Sequence, residues 1–182
     1  MNGTNYVELA RTMSRAQFAL AWKHPFIVFG RLTETQEIEF KTRAIPGWQT
    51  SPNTALQEST ASIDDASDGA PQPTGAVLPV VKSTRNPYSD RISVGRSRSN
   101  DLVLLSPQVS KLHAHLLPGL DGNWDLRDAG SSNGTFHFGV RLKPDERVRL
   151  VYGDTIRFGV LETRLLEGAQ LYDWLVRGQT KF

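Results

Sequence analysis

The C-terminal part of this 182-residue sequence predicts an all-β fold, a sandwich of antiparallel strands closed by a short C-terminal helix. Two observations favour it. Short apolar segments rich in β-branched residues follow one another, and turn dipeptides such as Asp121-Gly122, Asn133-Gly134 and Gly153-Asp154 separate them. Many short strands at this spacing are typical of a sandwich. The chain is long enough to bury a core, and it has no Cys for a disulfide scaffold.

Nine segments carry the predicted strands of the C-terminal part, and a helix follows them at about residues 168–177. Leu171, Trp174 and Leu175 form one face of that helix. The predicted strands are Val77–Lys82, Arg91–Gly95, Leu102–Leu104, His113–Leu117, Trp124–Asp128, Thr135–Phe138, Val148–Val151, Thr155–Phe158 and Leu161–Leu166.

Residues 1–48 predict an N-terminal extension that contains a helix. Apolar residues recur at helical spacing over residues 4–22, and His24-Pro25 ends the pattern because the residue before proline avoids the α region. Phe26–Phe29 and Glu37–Thr42 are predicted as short strands. The helix is expected to pack on the C-terminal domain rather than to dock on a partner, although both interpretations remain open.

Residues 49–76 predict a flexible linker. They contain four acidic residues and no Lys or Arg, and Ser, Thr and Pro dominate. Such a segment buries too little apolar surface to offset the entropy of ordering it. We therefore divide the chain into an extension at 1–48, a linker at 49–76 and a domain with a C-terminal helix at 77–182.

Charge and hydropathy exclude several classes of protein. The net charge is +2, from 21 basic and 19 acidic residues, which is no nucleic-acid footprint by itself. The longest apolar run, Phe26–Phe29, is far too short to cross a membrane. No apolar region of a secretory signal is present near the N-terminus. A cytoplasmic protein is expected.

Three clusters at the ends of predicted strands carry the polar groups of the candidate site. They are residues 94–97, 109–114 and 128–136, and sandwich loops gather where such strands end. Together they offer a guanidinium, several hydroxyls, an amide and backbone N–H groups. That set suits an oxyanion such as a phosphate. It includes no acid–base pair and no activated nucleophile, so we expect no catalytic residue and no enzyme activity.

The order of these clusters resembles the forkhead-associated (FHA) domain, a phosphothreonine-binding module. The resemblance covers about residues 77–166. It rests on Gly95-Arg96, then Ser110-x-x-His113, then Ser131-Ser132-Asn133-Gly134-Thr135, then Gly153-Asp154-x-Ile156-x-Phe158-Gly159. Any one of these motifs alone is weak, whereas the ordered set is specific.

The resemblance implies a role for each matching residue. Arg96 would clamp the phosphate, Ser110 would donate its hydroxyl to it, and Lys111 would help to neutralise it. Ser132 would contact the phosphopeptide, and Asn133 would bond its main chain. Supporting roles in shaping the pocket would fall to Gly95, His113 and Gly134.

The sequence departs from the family at two positions. The family commonly has an acidic residue near Leu105 and an Asn-Gly turn where this chain has Phe138-Gly139. Neither position is expected to touch the phosphate, so the departures concern peptide preference and hairpin type.

The function that follows is a phosphopeptide-binding adaptor, without a cofactor, that recognises a phosphothreonine protein downstream of a Ser/Thr protein kinase. Thr60 in the linker is a candidate phosphoacceptor that could regulate the pocket. Two alternatives remain: a scaffold that binds through the N-terminal region, and nucleic-acid binding by basic residues of the C-terminal domain. Asp145 and Glu146 interrupt the basic run, which argues against nucleic acid as a partner. A metal site at His113, His115 and His137 is not expected, because no carboxylate accompanies them at ligand spacing.

Overall fold

The computed structural model describes residues 5–29, 77–119 and 121–177, which contain three helices and eleven strands. The helices are α1 (Tyr6–Thr12), α2 (Arg15–Ala21) and α3 (Gly168–Val176). The strands are β1 (Phe26–Phe29), β2 (Val77–Pro79), β3 (Ile92–Gly95), β4 (Leu102–Val103), β5 (Ala114–Pro118), β6 (Trp124–Asp128), β7 (Thr135–His137), β8 (Val140–Arg141), β9 (Arg147–Leu150), β10 (Thr155–Phe158) and β11 (Leu161–Leu166).

The strands form two sheets that pack face to face. The order is β2-β1-β11-β10-β7-β8 in the six-stranded sheet and β4-β3-β5-β6-β9 in the five-stranded sheet. All pairings between described strands are antiparallel except that of β3 with β4, where Val94 lies opposite Leu102. The predicted β-sandwich with a C-terminal helix is confirmed.

Alternation along the strands builds the sandwich core. In the five-stranded sheet, Val94, Leu116 and Leu126 point inward and are almost fully buried. Ile156 and Phe158 meet them from the six-stranded sheet. Side chains between these positions point to the outer faces, because successive residues of a strand face opposite ways. The loops at one end of this core carry the candidate site.

The first strand is built into the six-stranded sheet rather than attached to it. Ile27 lies opposite Leu165 of β11 on one side and Leu78 of β2 on the other. All four residues of Phe26–Phe29 are buried, because Ile27 enters the sandwich core while Phe26 packs under the helices. This explains why the run is continuously apolar. The described part of the N-terminal extension therefore completes the sandwich.

The single helix predicted over residues 4–22 is wrong, since the chain forms two helices that break at Met13 and Ser14. Met13 is extended (φ −112°, ψ 150°). Ser14 caps α2 by accepting the N–H of Gln17, while the Gln17 side chain accepts the N–H of Ser14. This capping box stabilises a new helix start. The helical periodicity continued across the break because both helices place apolar residues toward the same sheet.

The helices pack on the outer face of the six-stranded sheet. Phe18, Phe26, Leu171 and Trp174 form a second apolar cluster between them. Arg15 of α2 also forms a bidentate ion pair with Asp173 of α3, at 2.9 and 3.0 Å. The expected packing on the C-terminal domain is what the structure contains.

Several sequence predictions fall outside the described residues. They are the strand at Glu37–Thr42, the linker at 49–76 and the candidate phosphoacceptor Thr60. In the part of the chain that is described, no helix combines the length and apolar character needed to span a membrane.

Candidate functional site

Three loops meet at one end of the sandwich and bring Arg96, Ser110 and Ser132 together. The backbone N–H of Arg96, at the end of β3, donates to the Ser110 carbonyl at 3.0 Å. The N–H of Ser132, between β6 and β7, donates to the Ser110 hydroxyl oxygen at 3.0 Å. We call these three loops, residues 96–101, 104–113 and 129–134, the loop end.

The guanidinium of Arg96 lies at the loop end without a partner in the described chain. The residue is half-buried, and its backbone is held by Ser110. Its side chain forms no hydrogen bond or ion pair with residues 5–29, 77–119 or 121–177. A planar guanidinium that has no partner can donate two parallel hydrogen bonds to a phosphate or carboxylate.

The hydroxyl of Ser110 is oriented as a donor. Its oxygen accepts the N–H of Ser132, so its proton is left for another acceptor. Lys111 is exposed beside it, while the Lys111 carbonyl accepts Asn100 Nδ2 at 2.6 Å and the N–H of Ser97 at 3.2 Å. The main chain of this loop is thus held in place by hydrogen bonds.

Asn133 is exposed, and the structure fixes how its amide is used. Its Nδ2 donates to both the backbone carbonyl and the side-chain Oε1 of Gln108, each at 2.8 Å. Both amide hydrogens are therefore engaged, and the side-chain oxygen is left to accept. Ser132, next to it, is also exposed. A peptide main chain that offers an N–H here would find an acceptor.

Gly95 and Gly134 allow close approaches that a larger residue would block. A Cβ on Gly95 would collide with the Lys111 carbonyl and would lie 2.8 Å from Asn100 Nδ2. Gly134 has φ +83°, and a Cβ there would lie 2.5 Å from Nε of Arg141. Gly95 therefore lets its loop approach the Lys111 loop, whereas Gly134 is required chiefly by its positive φ.

His113 links two of the three loops through both ring nitrogens. The N–H of Ser110 donates to Nδ1 at 3.0 Å, so Nδ1 carries no proton. Nε2 then donates to the carbonyl of Gly134 at 3.1 Å. Burial lowers the pKa of His113. The hydrogen bond to Gly134 favours the charged form and would raise the pKa, but burial outweighs it. The ring is held neutral, and neither nitrogen can accept the Ser110 hydroxyl proton.

Asp128 organises the loop of Ser132 and Asn133, and the sequence interpretation gave it no role. Its Oδ1 accepts the Ser131 and Thr135 hydroxyls at 2.6 and 2.5 Å, and its Oδ2 accepts the N–H groups of Gly130 and Ser131 at 2.9 Å. Burial would raise the pKa of Asp128, but these hydrogen bonds outweigh it and lower the pKa. An Asp followed closely by Gly and Ser is a turn signal that could have indicated this role.

Asp101 has the same function in the loop after β3. Its side chain is fully buried, and it accepts hydrogen bonds from Ser83, Asn86 and Ser93. These bonds lower the pKa of Asp101 against the opposing effect of burial. The loop that follows Arg96 is therefore anchored at its far end by an ionised carboxylate.

The three histidines weighed as metal ligands do not form a site. His113 turns toward Phe158, with ring centroids 5.9 Å apart, and Nε2 of His137 lies 2.7 Å from Asp154. His115 lies on the outer face of the five-stranded sheet. No group of three potential ligands from His, Asp and Glu occurs in the described ranges.

Comparison with known proteins agrees with the order of these loops. The family model of the FHA domain matches residues 92–159, from β3 to the residue after β10. Residues 92–159 form an FHA domain. All five predicted contact residues, and the three predicted supporting residues, lie within this FHA domain.

Two curated proteins of Arabidopsis thaliana are similar to parts of the chain. An FHA domain-containing protein is 38% identical over 69 residues, which are 37% of this chain and 18% of that protein. A homologue of a protein phosphatase 1 regulatory inhibitor subunit is 36% identical over 101 residues, 50% of this chain and 27% of that protein. The chain thus matches only a minor part of each relative.

Among solved structures, the N-terminal FHA domain of Rad53 from Saccharomyces cerevisiae, in complex with a phosphothreonine peptide, superposes with a TM-score of 0.44. The sequences are 22% identical, and the match covers 54% of this chain and 89% of that one.

Proposed function

We propose that this protein is a phosphopeptide-binding adaptor whose FHA domain captures a phosphothreonine segment of a partner protein. A Ser/Thr protein kinase would create the ligand by phosphorylating that partner. The convergence of Arg96, Ser110 and Ser132 on one end of the sandwich carries the proposal.

The donors at the loop end match a phosphate dianion. The Arg96 guanidinium supplies a bidentate donor, the Ser110 hydroxyl proton is available, and Lys111 is exposed beside it. The carboxylates of Asp101 and Asp128 are both occupied by hydrogen bonds from their own surroundings. Phosphorylation adds a charge of about −2 and three acceptor oxygens, which this set of donors can satisfy.

The same geometry favours binding over catalysis. Ser110 and His113 are close in space, as a nucleophile and its base would be. The contact, however, runs from the Ser110 backbone N–H to Nδ1, and Nε2 is committed to Gly134. Activation of a hydroxyl needs a base nitrogen with an available lone pair facing it. We infer equilibrium recognition, without an enzymatic step at the loop end.

Calorimetric titration tests the proposal with three degenerate peptide pools, centred on phosphothreonine, phosphoserine and unmodified threonine. We expect the wild-type chain to bind the phosphothreonine pool best and the unmodified pool not at all. Arg96→Ala should weaken phosphothreonine binding by roughly a hundredfold or more, because a charge-assisted bidentate contact contributes about 3 kcal/mol.

Arg11→Ala is the matched control. Arg11 is an exposed arginine of α1, on the sheet face opposite the sandwich core and away from the loop end. Its loss should leave the affinity unchanged. Equal binding of all three pools by the wild type, or unchanged binding by Arg96→Ala, would refute the proposed function.

A further inference from the structure

A groove of about 750 Å³ begins beside the loop end and extends over the outer face of the five-stranded sheet. Its lining includes Leu112, Arg127, Ser131, Arg141, Leu142 and Lys143. The volume lies within the range of about 300–1,000 Å³ that is typical of ligand sites.

The groove is continuous with the proposed phosphate site along two loops. Leu112 follows Lys111 directly, and Ser131 precedes Ser132. Neighbouring Cα atoms are about 3.8 Å apart, so a peptide in extended conformation needs only a few residues to reach from the loop end into the groove. The Asn133–Gln108 contact lies in the same two loops but does not line the groove.

Three cations line this groove without an ion-pair partner in the described chain. The side chains of Arg127, Arg141 and Lys143 form no hydrogen bond or ion pair with the residues that the structure describes. Arg149, on the same outer sheet face, differs because it pairs with Asp121 and Asp125 at 2.6 and 2.9 Å. The groove thus gathers three basic side chains that have no ion-pair partner among the described residues.

Two carboxylates that line the groove offset only part of this positive charge. Asp128 lines it, but its oxygens accept hydrogen bonds from Ser131, Thr135 and Gly130. Asp145 sits at an exposed turn with φ 60° and pairs with no described residue. With three cations and two carboxylates in its lining, the groove keeps a net charge of +1.

The floor of the groove contains two buried polar atoms without a partner. His115 is only 9% exposed, and its Nδ1 has no hydrogen-bond partner in the described chain. Nε of Arg127, directly opposite His115 across the β5–β6 pair, is also unpartnered. Arg147 continues the same cross-strand row. Buried polar atoms are usually satisfied, so this basic row is an unusual feature of the groove floor.

We propose that this groove binds acidic side chains of the same phosphorylated partner, so that the ligand is a phosphothreonine segment with Asp or Glu residues a few positions away. The inference rests on the proposed function and adds the chemical class of the residues that flank the phosphothreonine. Arg141 is the central contact because its side chain already packs over Gly134, two residues from Ser132.

The test uses phosphothreonine pools that contain no other charged residue, and matched pools in which Glu, Gln or Lys is fixed at one flanking position at a time. For wild type, Glu should raise the affinity about tenfold over Gln at one or two neighbouring positions, and Lys should lower it. Arg141→Gln combined with Lys143→Gln should abolish the Glu preference while leaving affinity for the uncharged pool unchanged. Arg149→Gln is the matched control and should keep the preference.

Each result has one meaning. If the phosphothreonine pools bind but Glu, Gln and Lys are equivalent, or if the preference survives in the Arg141→Gln, Lys143→Gln chain, the groove inference is wrong and the proposed function stands. If no phosphothreonine pool binds, the proposed function fails and the inference fails with it. If the substitutions instead weaken binding of a duplex oligonucleotide and leave peptide preference intact, the groove is a nucleic-acid surface.

Discussion

At the scale of single residues, the geometry of the candidate site depends on hydrogen bonds between its own groups. Ser110 can present its hydroxyl proton because Ser132 occupies its oxygen and His113 holds its backbone N–H. His113 can do so only while it is neutral, since a protonated ring has no acceptor nitrogen. A buried imidazole that must stay neutral makes the domain sensitive to acid.

We therefore predict that the free energy of unfolding falls as the pH drops below about 6.5. Burial lowers the pKa of both His113 and His115, so the unfolded chain binds more protons than the folded chain below the usual histidine pKa of 6.5. The free energy of unfolding therefore has its full value above that pH and falls below it. Each histidine lowers it by at most about 1.4 kcal/mol for each pH unit. Chemical unfolding at a series of pH values measures this slope.

His113→Leu separates titration from structure. The variant should be less stable at every pH, because the N–H of Ser110 and the carbonyl of Gly134 lose a partner. Its slope below pH 6.5 should be shallower than that of the wild type, because one titrating group is gone. Equal slopes would show that His113 is not held neutral.

At the scale of elements, the β7–β8 hairpin carries a backbone conformation that its sequence does not favour. Phe138 has φ 47° and Gly139 has φ 78°, both in the left-handed region. Two positive φ values in a two-residue turn are typical of type I′, which favours Asn-Gly. The sequence departure at Phe138 therefore changes the side chain but leaves the left-handed turn in place.

We predict that Phe138→Asn stabilises the protein by about 1 kcal/mol, because Asn tolerates the left-handed region at a lower cost. Phe138 is 62% exposed, so little buried area is lost. Thermal unfolding measures the change. Phe138→Leu is the control: it removes the ring and keeps an ordinary L side chain, and no gain is expected. If both substitutions stabilised the protein, the exposed aromatic ring rather than the left-handed backbone at residue 138 would be what destabilises the wild type.

At the scale of the whole molecule, the N-terminal segment and the FHA domain share one sheet. β1 lies between β2 and β11, and the helices cover the outer face of that sheet. The match to the family model begins only at residue 92. The sandwich nevertheless includes strands from residues 26–29 and 77–79.

We predict that a chain beginning at residue 77 loses cooperative folding, because it lacks the strand that pairs with β11 and the aromatic residues that cover Leu171 and Trp174. Circular dichroism during thermal unfolding shows whether a cooperative transition remains. A chain beginning at residue 5 is the control and should unfold like the full chain. A sharp transition at an unchanged midpoint in the chain from residue 77 would contradict an integral role for β1.

The extent to which the sequence predicts this architecture depends on the range of the contacts. The strands around Val94, Leu116 and Ile156 can be predicted locally, because each has its own alternation of apolar and polar residues and its own flanking turn residues. The break at Ser14 was also encoded locally, in the Ser14-x-x-Gln17 capping box, but helical periodicity masked it. The place of β1 between β2 and β11 is a long-range pairing, which local pattern does not show.

The candidate site divides in the same way. Arg96, Ser110 and Asn133 stand in short motifs and could be singled out by resemblance. Asp101 could not, because its partners Ser83, Asn86 and Ser93 lie 8 to 18 residues away and form no local motif with it. The groove of Arg127, Arg141 and Lys143 likewise depends on the short β8 strand, which no periodicity predicts.

The most direct test of phosphate recognition at the loop end is nuclear magnetic resonance mapping of backbone amides during titration with the phosphothreonine pool. The largest shifts should fall on the amides of Arg96, Ser110, Lys111, Ser132 and Asn133, and the unmodified threonine pool should leave them unmoved. Shifts confined to α1, α2 and α3, or equal shifts with both pools, would contradict phosphate recognition by these loops.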